Sequence, residues 1–183
     1  MTLSIRRAQP PDAALLARFA ARTFFETYAD ANDPADMADH LSAKYGETIQ
    51  DAEIRNPLAS YLLAEVEGGL AGYAYLLFEH APEGVALDRP VELARFYVAR
   101  EWHGRGVAQA LMTACVNEAC RGGGNTLWLA VWQENARAIS FYRRAGFDLA
   151  GTVKFKLGRQ WQNDHLMTLA LDPVESGEPV TPR

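Results

Sequence analysis

Apolar and polar positions change period several times along the chain, and each change marks an element. Leu3 to Arg7 alternates, as a strand with one covered face does. Pro10-Pro11-Asp12 then opens a stretch whose apolar residues include Leu15, Leu16, Phe19, Phe24 and Phe25, a helical pattern. From Pro34 to about Asn56 the pattern is helical or mixed, with Met37, Leu41 and Tyr45 at helix spacing and Gly46 as a break. Ser60–Val66 and Leu70–Phe78 are rich in aliphatic and aromatic residues around Glu67-Gly68-Gly69, which predicts a hairpin. A loop carrying two prolines and a glycine leads into a strand at Val91–Val98.

The second half repeats this alternation. An Ala- and Leu-rich helix runs from Ala108 to about Arg121 and stops at Gly122-Gly123-Gly124. Thr126–Trp132 reads as a buried strand and Asn135–Ala145 as a helix ended by Gly146. Phe147–Phe155 and His165–Leu171 read as two closing strands. The result is an α/β chain with a mixed central sheet flanked by helices, one domain over residues 1–172. Residues 173–183 have the Pro, Gly and charge content of a disordered tail.

Composition narrows the function. With 183 residues, 49% hydrophobic and 22% charged, the chain can bury a core without covalent staples. A net charge of -5, with no basic recognition helix, argues against nucleic acid as a partner. Cys115 and Cys120 stand five apart on one predicted helix, so their side chains diverge, and no histidine lies at metal-ligand spacing from them. Buried thiols are expected, with neither a disulfide nor a metal. MTLSIRR enters strand-like sequence directly, and no apolar run is long enough to cross a bilayer, so the expected compartment is the cytoplasm, without membrane contact.

The most informative segment is His103-Gly104-Arg105-Gly106-Val107-Ala108. Glycines directly before a helix let a ligand approach backbone N–H groups that the first turn leaves unpaired, and the helix dipole favours negative charge there. Such a loop suits a pyrophosphate, with Arg105 adding charge and small Ala108 keeping the turn open. Farther on, Asn135, Ala138 or Ile139, and Tyr142 share one helix face, so an amide and a phenol can address one ligand. Asn135 also has an N-cap role open to it.

The strand, loop and helix from Val91 onward resemble the acetyl-CoA-binding motif of the GNAT superfamily, Q/R-x-x-G-x-G/A, with His103 where that family carries Gln or Arg. Asn135 to Phe147 is similar to the family's N-x-x-A-x-x-F-Y-x-x-x-G-F segment. The resemblance implies a mostly antiparallel GNAT sheet and acetyl-CoA as cosubstrate. It places the pantetheine arm on Phe96, Tyr97 and Val98 and on Asn135. The pyrophosphate falls on His103, Gly104, Arg105, Gly106, Val107 and Ala108, and the adenosine phosphates within reach of Arg144. Tyr142 becomes the general acid toward the CoA thiolate.

Thr23-Phe24-Phe25-Glu26-Thr27-Tyr28, Trp128 to Trp132, and the Phe155, Gly158, Asp164 and Met167 pattern resemble the PaiA branch of that superfamily, which implies a small-molecule amine such as spermidine or spermine. Ammonium groups call for carboxylates and aromatic faces, which nominates Glu26 and Tyr28. Glu92 is the local carboxylate best suited to take the amine's proton. Two alternatives stand beside this. One is an acceptor that is a peptide N-terminus, a lysine or an amino-acid-like amine; the other is a non-catalytic acetyl-CoA sensor regulating a partner. Proteins of this fold often pair through exposed apolar surfaces, so a homodimer is among the expectations.

Overall fold

A computed structural model describes residues 2–157 and 160–172. The expected tail and Gly158 lie outside the described residues. The strands are β1 (Leu3–Arg7), β2 (Ala59–Val66), β3 (Gly69–Phe78), β4 (Pro90–Val98), β5 (Thr126–Trp132), β6 (Asp148–Leu157) and β7 (Gln160–Ala170). The helices are α1 (Ala13–Tyr28), α2 (Pro34–Lys44), α3 (Glu47–Arg55), α4 (Val107–Arg121) and α5 (Ala136–Arg144). The seven strands form one sheet in the order β1-β2-β3-β4-β5-β7-β6, antiparallel at every seam except β4–β5.

Each face of the sheet has its own core. On one, Leu16, Phe19 and Ala20 of α1 pack on Leu63, Tyr73 and Tyr75. On the other, Val107, Leu111, Met112 and Cys115 of α4 pack on Leu62, Ala64, Leu76 and Val91, joined by Tyr142 of α5. Fully burying each large aliphatic side chain here contributes roughly 1.5–3 kcal/mol before ordering costs. The expected helical stretch from Pro34 resolves into two helices. Asp33 Oδ1 accepts from the Ala35 backbone N–H at 2.9 Å with Pro34 in the first turn, a start signal, and the chain turns extended at Tyr45 and Gly46.

The seams differ where it matters for function. β3 and β4 pair over seven positions, tightly enough that a Cβ on Gly72 would lie 2.9 Å from the Tyr97 carbonyl oxygen. Between Tyr75↔Arg95 and Leu76↔Leu93 the strand β4 carries an extra residue, Ala94, a bulge of the kind that bends and twists its strand. β4 and β5 pair only at Pro90↔Thr126, Val91↔Leu127 and Glu92↔Trp128, after which they separate. The outer half of β4 therefore lacks a neighbour on that side.

One expectation needs correction. The two closing strands are present, but the second begins at Gln160 rather than His165; β6 and β7 form a hairpin in which Lys154 faces Asn163 and Phe155 faces Gln162. Polar Gln162 and Asn163 conceal the first half of β7 from a hydrophobicity reading, because an antiparallel hairpin at the sheet edge can keep one face wet.

Candidate active site

The separation of β4 and β5 opens a cleft of about 510 Å³ that runs through the sheet. Its β4 wall is Leu93 to Val98 and its β5 wall Ala130 to Trp132. On the α4 side it meets His103, Gly104, Ala108, Asn135, Arg137, Tyr142 and Arg144; on the α1 side it meets Thr23, Glu26, Thr27 and Tyr28. Unpaired backbone groups on β4 between two apolar walls suit an extended amide-bearing chain, which can add itself as a strand would.

At the α4 end, Gly104 and Gly106 have φ of +73° and +84°, and a Cβ at either would meet nothing within 4 Å. The left-handed conformation demands glycine, and the open space leaves room for a phosphate against the N-terminus of α4. Val107 turns its side chain into the core, fully buried, leaving only its backbone to the site. Arg105, expected at the phosphates, instead lies over the Trp102 ring at 5.6 Å and does not line the cleft. His103 lines it, but both ring nitrogens are engaged: Nε2 lies 2.8 Å from the Val98 carbonyl and Nδ1 2.7 Å from an Arg137 nitrogen. Arg144 reaches the cleft and donates to Ser140 Oγ at 2.6 Å.

Asn135 caps α5, its Oδ1 accepting from the Ala138 N–H at 3.1 Å, so the expected cap coexists with a place in the cleft wall. Tyr142, about two turns further on, is buried against Phe96, Phe141 and Phe147. Burial pushes its phenol well above the ordinary tyrosine value, so the group stays protonated at neutral pH. A neutral phenol facing a cleft is a proton donor in waiting.

The α1 end is aromatic. Tyr28 stands 4.6 Å from Phe24 and 6.2 Å from Trp132, ring to ring. Its phenol is raised by burial, eased by a hydrogen bond with Tyr97. Two arginines line this space: Arg95 is ion-paired with Glu53 through bonds of 2.8 and 2.9 Å, and Arg100 donates to the Glu26 backbone carbonyl. Asp164 lies on β7 directly opposite Trp132 of β5; its Oδ1 is buried without a hydrogen-bond partner, and burial pushes its carboxyl up to about 6.

Glu92 does not line the cleft. It sits at the last β4–β5 pair, opposite Trp128, where its Oε2 contacts His80 Nδ1 at 2.7 Å. Burial raises its carboxyl, and the His80 and Arg95 charges counter that. His80 in turn stacks on Trp128 at 6.1 Å and accepts the indole N–H at its carbonyl, 2.7 Å away.

Sequence reasoning missed Arg137, Arg95, Trp132 and His80. The family motif contains Arg137 only as an unspecified position, and the partners of the other three come from distant strands and helices. Among the described residues no cluster of His, Cys, Asp and Glu could hold a metal, and no helix is long and apolar enough to cross a membrane.

A mixed sheet parted at its one parallel seam, with a glycine-bearing anion loop at one end of the gap, defines an acyl-CoA transferase fold. The chain belongs to the Acetyltransferase (GNAT) family, whose profile matches residues 18–147. It is 35% identical over 160 residues to an uncharacterized N-acetyltransferase of Mycobacterium tuberculosis, covering 87% of this chain and 98% of that one. It is 30% identical over 115 residues to a probable spermine N(1)-acetyltransferase of Bacillus subtilis subsp. natto, 60% of this chain and 70% of that one. Among solved structures, the PaiA N-acetyltransferase of Thermoplasma acidophilum in complex with coenzyme A superposes with a TM-score of 0.75 at 21% identity, over 93% of this chain and 99% of that one. Acetyl-CoA is the acetyl donor of this family, and the cleft presents a glycine loop at a helix N-terminus, unpaired β4 backbone along one wall and a buried phenol beside the gap.

Proposed function

We propose that this protein transfers the acetyl group of acetyl-CoA to a primary amine, a polyamine such as spermidine or spermine, by direct attack. The observation that carries the reading is the continuity of the cleft, which joins a phosphate loop on one face of the sheet to an aromatic, carboxylate-bearing end on the other, with Tyr142 lining the passage.

The donor brings a thioester carbonyl to the gap. As the amine nitrogen bonds to that carbon and the carbon–sulfur bond breaks, the Tyr142 phenol gives its proton to the departing sulfur, and the extra proton on the newly acylated nitrogen returns to the phenolate through solvent, leaving neutral amide, CoA thiol and phenol. The amine must arrive neutral, and we assign Glu92, at the last β4–β5 pair and outside the cleft lining, as the final acceptor of its proton, relayed by solvent. Burial of Glu92 raises its basicity toward that task. Glu26 and Tyr28 receive the remaining ammonium groups, with Trp132 adding an aromatic face. Neutralisation of Arg95 by Glu53 removes a charge that would repel them.

The test is release of CoA thiol from acetyl-CoA with spermidine, spermine, short peptides, lysine and other amines, against a control without acceptor. Polyamine-dependent turnover is the expected result. Turnover with peptides or amino acids alone would move the acceptor, and binding of acetyl-CoA without turnover on any amine would leave a sensor.

A further inference from the structure

His103 stands where the glycine loop leaves β4, and its ring joins two parts of the molecule. The Val98 carbonyl can only accept, so Nε2 carries the hydrogen of that 2.8 Å contact; a guanidinium can only donate, so Nδ1 presents its lone pair to Arg137 at 2.7 Å. One neutral tautomer satisfies both partners. Val98 ends β4 and Arg137 lies in the first turn of α5, on opposite sides of the gap between β4 and β5. The imidazole thus spans the mouth of the cleft.

Of the other cations nearby, Arg105 lies over Trp102 and outside the cleft lining, and Arg100 donates to the Glu26 carbonyl at the far end. Arg144 lines the cleft but is held within α5 by Ser140, whereas Arg137 is held by a residue of the glycine loop itself. Arg137 is solvent-exposed, lines the cleft beside Gly104, and is held by a ring that takes one of its donors and leaves the rest.

We propose that Arg137 binds the phosphates of CoA and that His103 is a positioning residue, which fixes the guanidinium at the phosphate loop rather than touching phosphate itself. The inference rests on the loop at His103–Ala108 receiving the pyrophosphate. It explains how histidine serves at a position where the family carries Gln or Arg. A neutral group with one donor and one acceptor can hold the strand end and an arginine together, as Gln also would.

The experiment is calorimetric titration of the full chain with CoA, which needs no acceptor amine. Loss of a charge-assisted phosphate contact should weaken binding of Arg137→Ala about tenfold or more, and added salt should then cost the variant less affinity than it costs the parent. His103→Ala should weaken binding several-fold, and the double variant should be no weaker than Arg137→Ala alone, because both changes remove one contact. His103→Gln should bind within about twofold of the parent, since its amide reproduces both hydrogen bonds. Parental affinity in Arg137→Ala overturns the proposal. Additive losses in the double variant overturn the positioning role of His103 while leaving Arg137 in place. If Gly106→Glu also binds CoA normally, the loop reading itself has failed. Should His103→Ala not fold, the His103→Gln and Arg137→Ala titrations still decide the matter.

Discussion

On its α4 side the cleft meets the glycine loop His103 to Ala108, which offers mainly backbone, two left-handed glycines and the free N–H groups of α4, with the Arg137 side chain added from α5. On its α1 side it draws on α1, β4 and β5, and what it offers there is side chains, among them Glu26, Tyr28 and Trp132. On the proposed reading, the first arrangement meets a feature that every acyl-CoA shares and tolerates little change in conformation. The second can be re-lined residue by residue without disturbing the sheet, which would leave acceptor choice free to diverge while donor choice stays fixed.

Substitutions that act on one end alone sharpen this contrast. The largest effect is expected for Gly106→Glu, which forces a side chain into a φ of +84° and sets a negative charge at the helix N-terminus. CoA affinity should fall on the order of 100-fold or beyond measurement by calorimetry, with the melting temperature lowered only slightly. Normal CoA binding in that variant would remove the loop from the site.

Between the two ends stands Tyr142, and Tyr142→Phe should lower kcat by on the order of 100-fold while CoA affinity changes little, because only a proton donor is lost. Steady-state kinetics paired with CoA titration separate the two; unchanged kcat would take Tyr142 out of the proton transfer.

The smallest effect concerns stability at the acceptor side. Asp164 is raised when folded to about 6 from 3.8, so the folded state holds its proton more tightly than the unfolded chain. Stability from this group is therefore greatest at low pH and declines as pH rises between those values, when a buried carboxyl with one unsatisfied oxygen must ionise. Asp164→Asn should raise stability at pH 8 by about 1 kcal/mol and leave it unchanged at pH 4. Urea melts at the two pH values check this, and an equal shift at both would mean that ionisation is not the cause.

The same contrast explains what could be read from the amino acids alone. The loop was legible because its geometry demands glycines in a short contiguous stretch, and α5 because its cap, its apolar face and Gly146 lie within a dozen residues. The mixed sheet followed from the alternation of strand and helix signals. Arg137 was not legible, since its role depends on a histidine 34 positions away. Nor was the placing of Glu92 outside the cleft, which follows from β4 and β5 still being paired opposite Trp128. The bulge at Ala94 leaves no mark in composition, and the polar start of β7 imitates a loop.

The three-pair seam has a mechanical meaning. β1 to β4 form one leaf and β5, β7 and β6 another, and the spine between them has few rungs. A cosubstrate lying along the gap, contacting β4 on one side and α5 on the other, would stitch the leaves together. Its binding free energy then adds directly to the cohesion of the fold, about 2.7 kcal/mol at a concentration 100 times its dissociation constant. Bound there, the cosubstrate would act as a structural strut as well as a reagent.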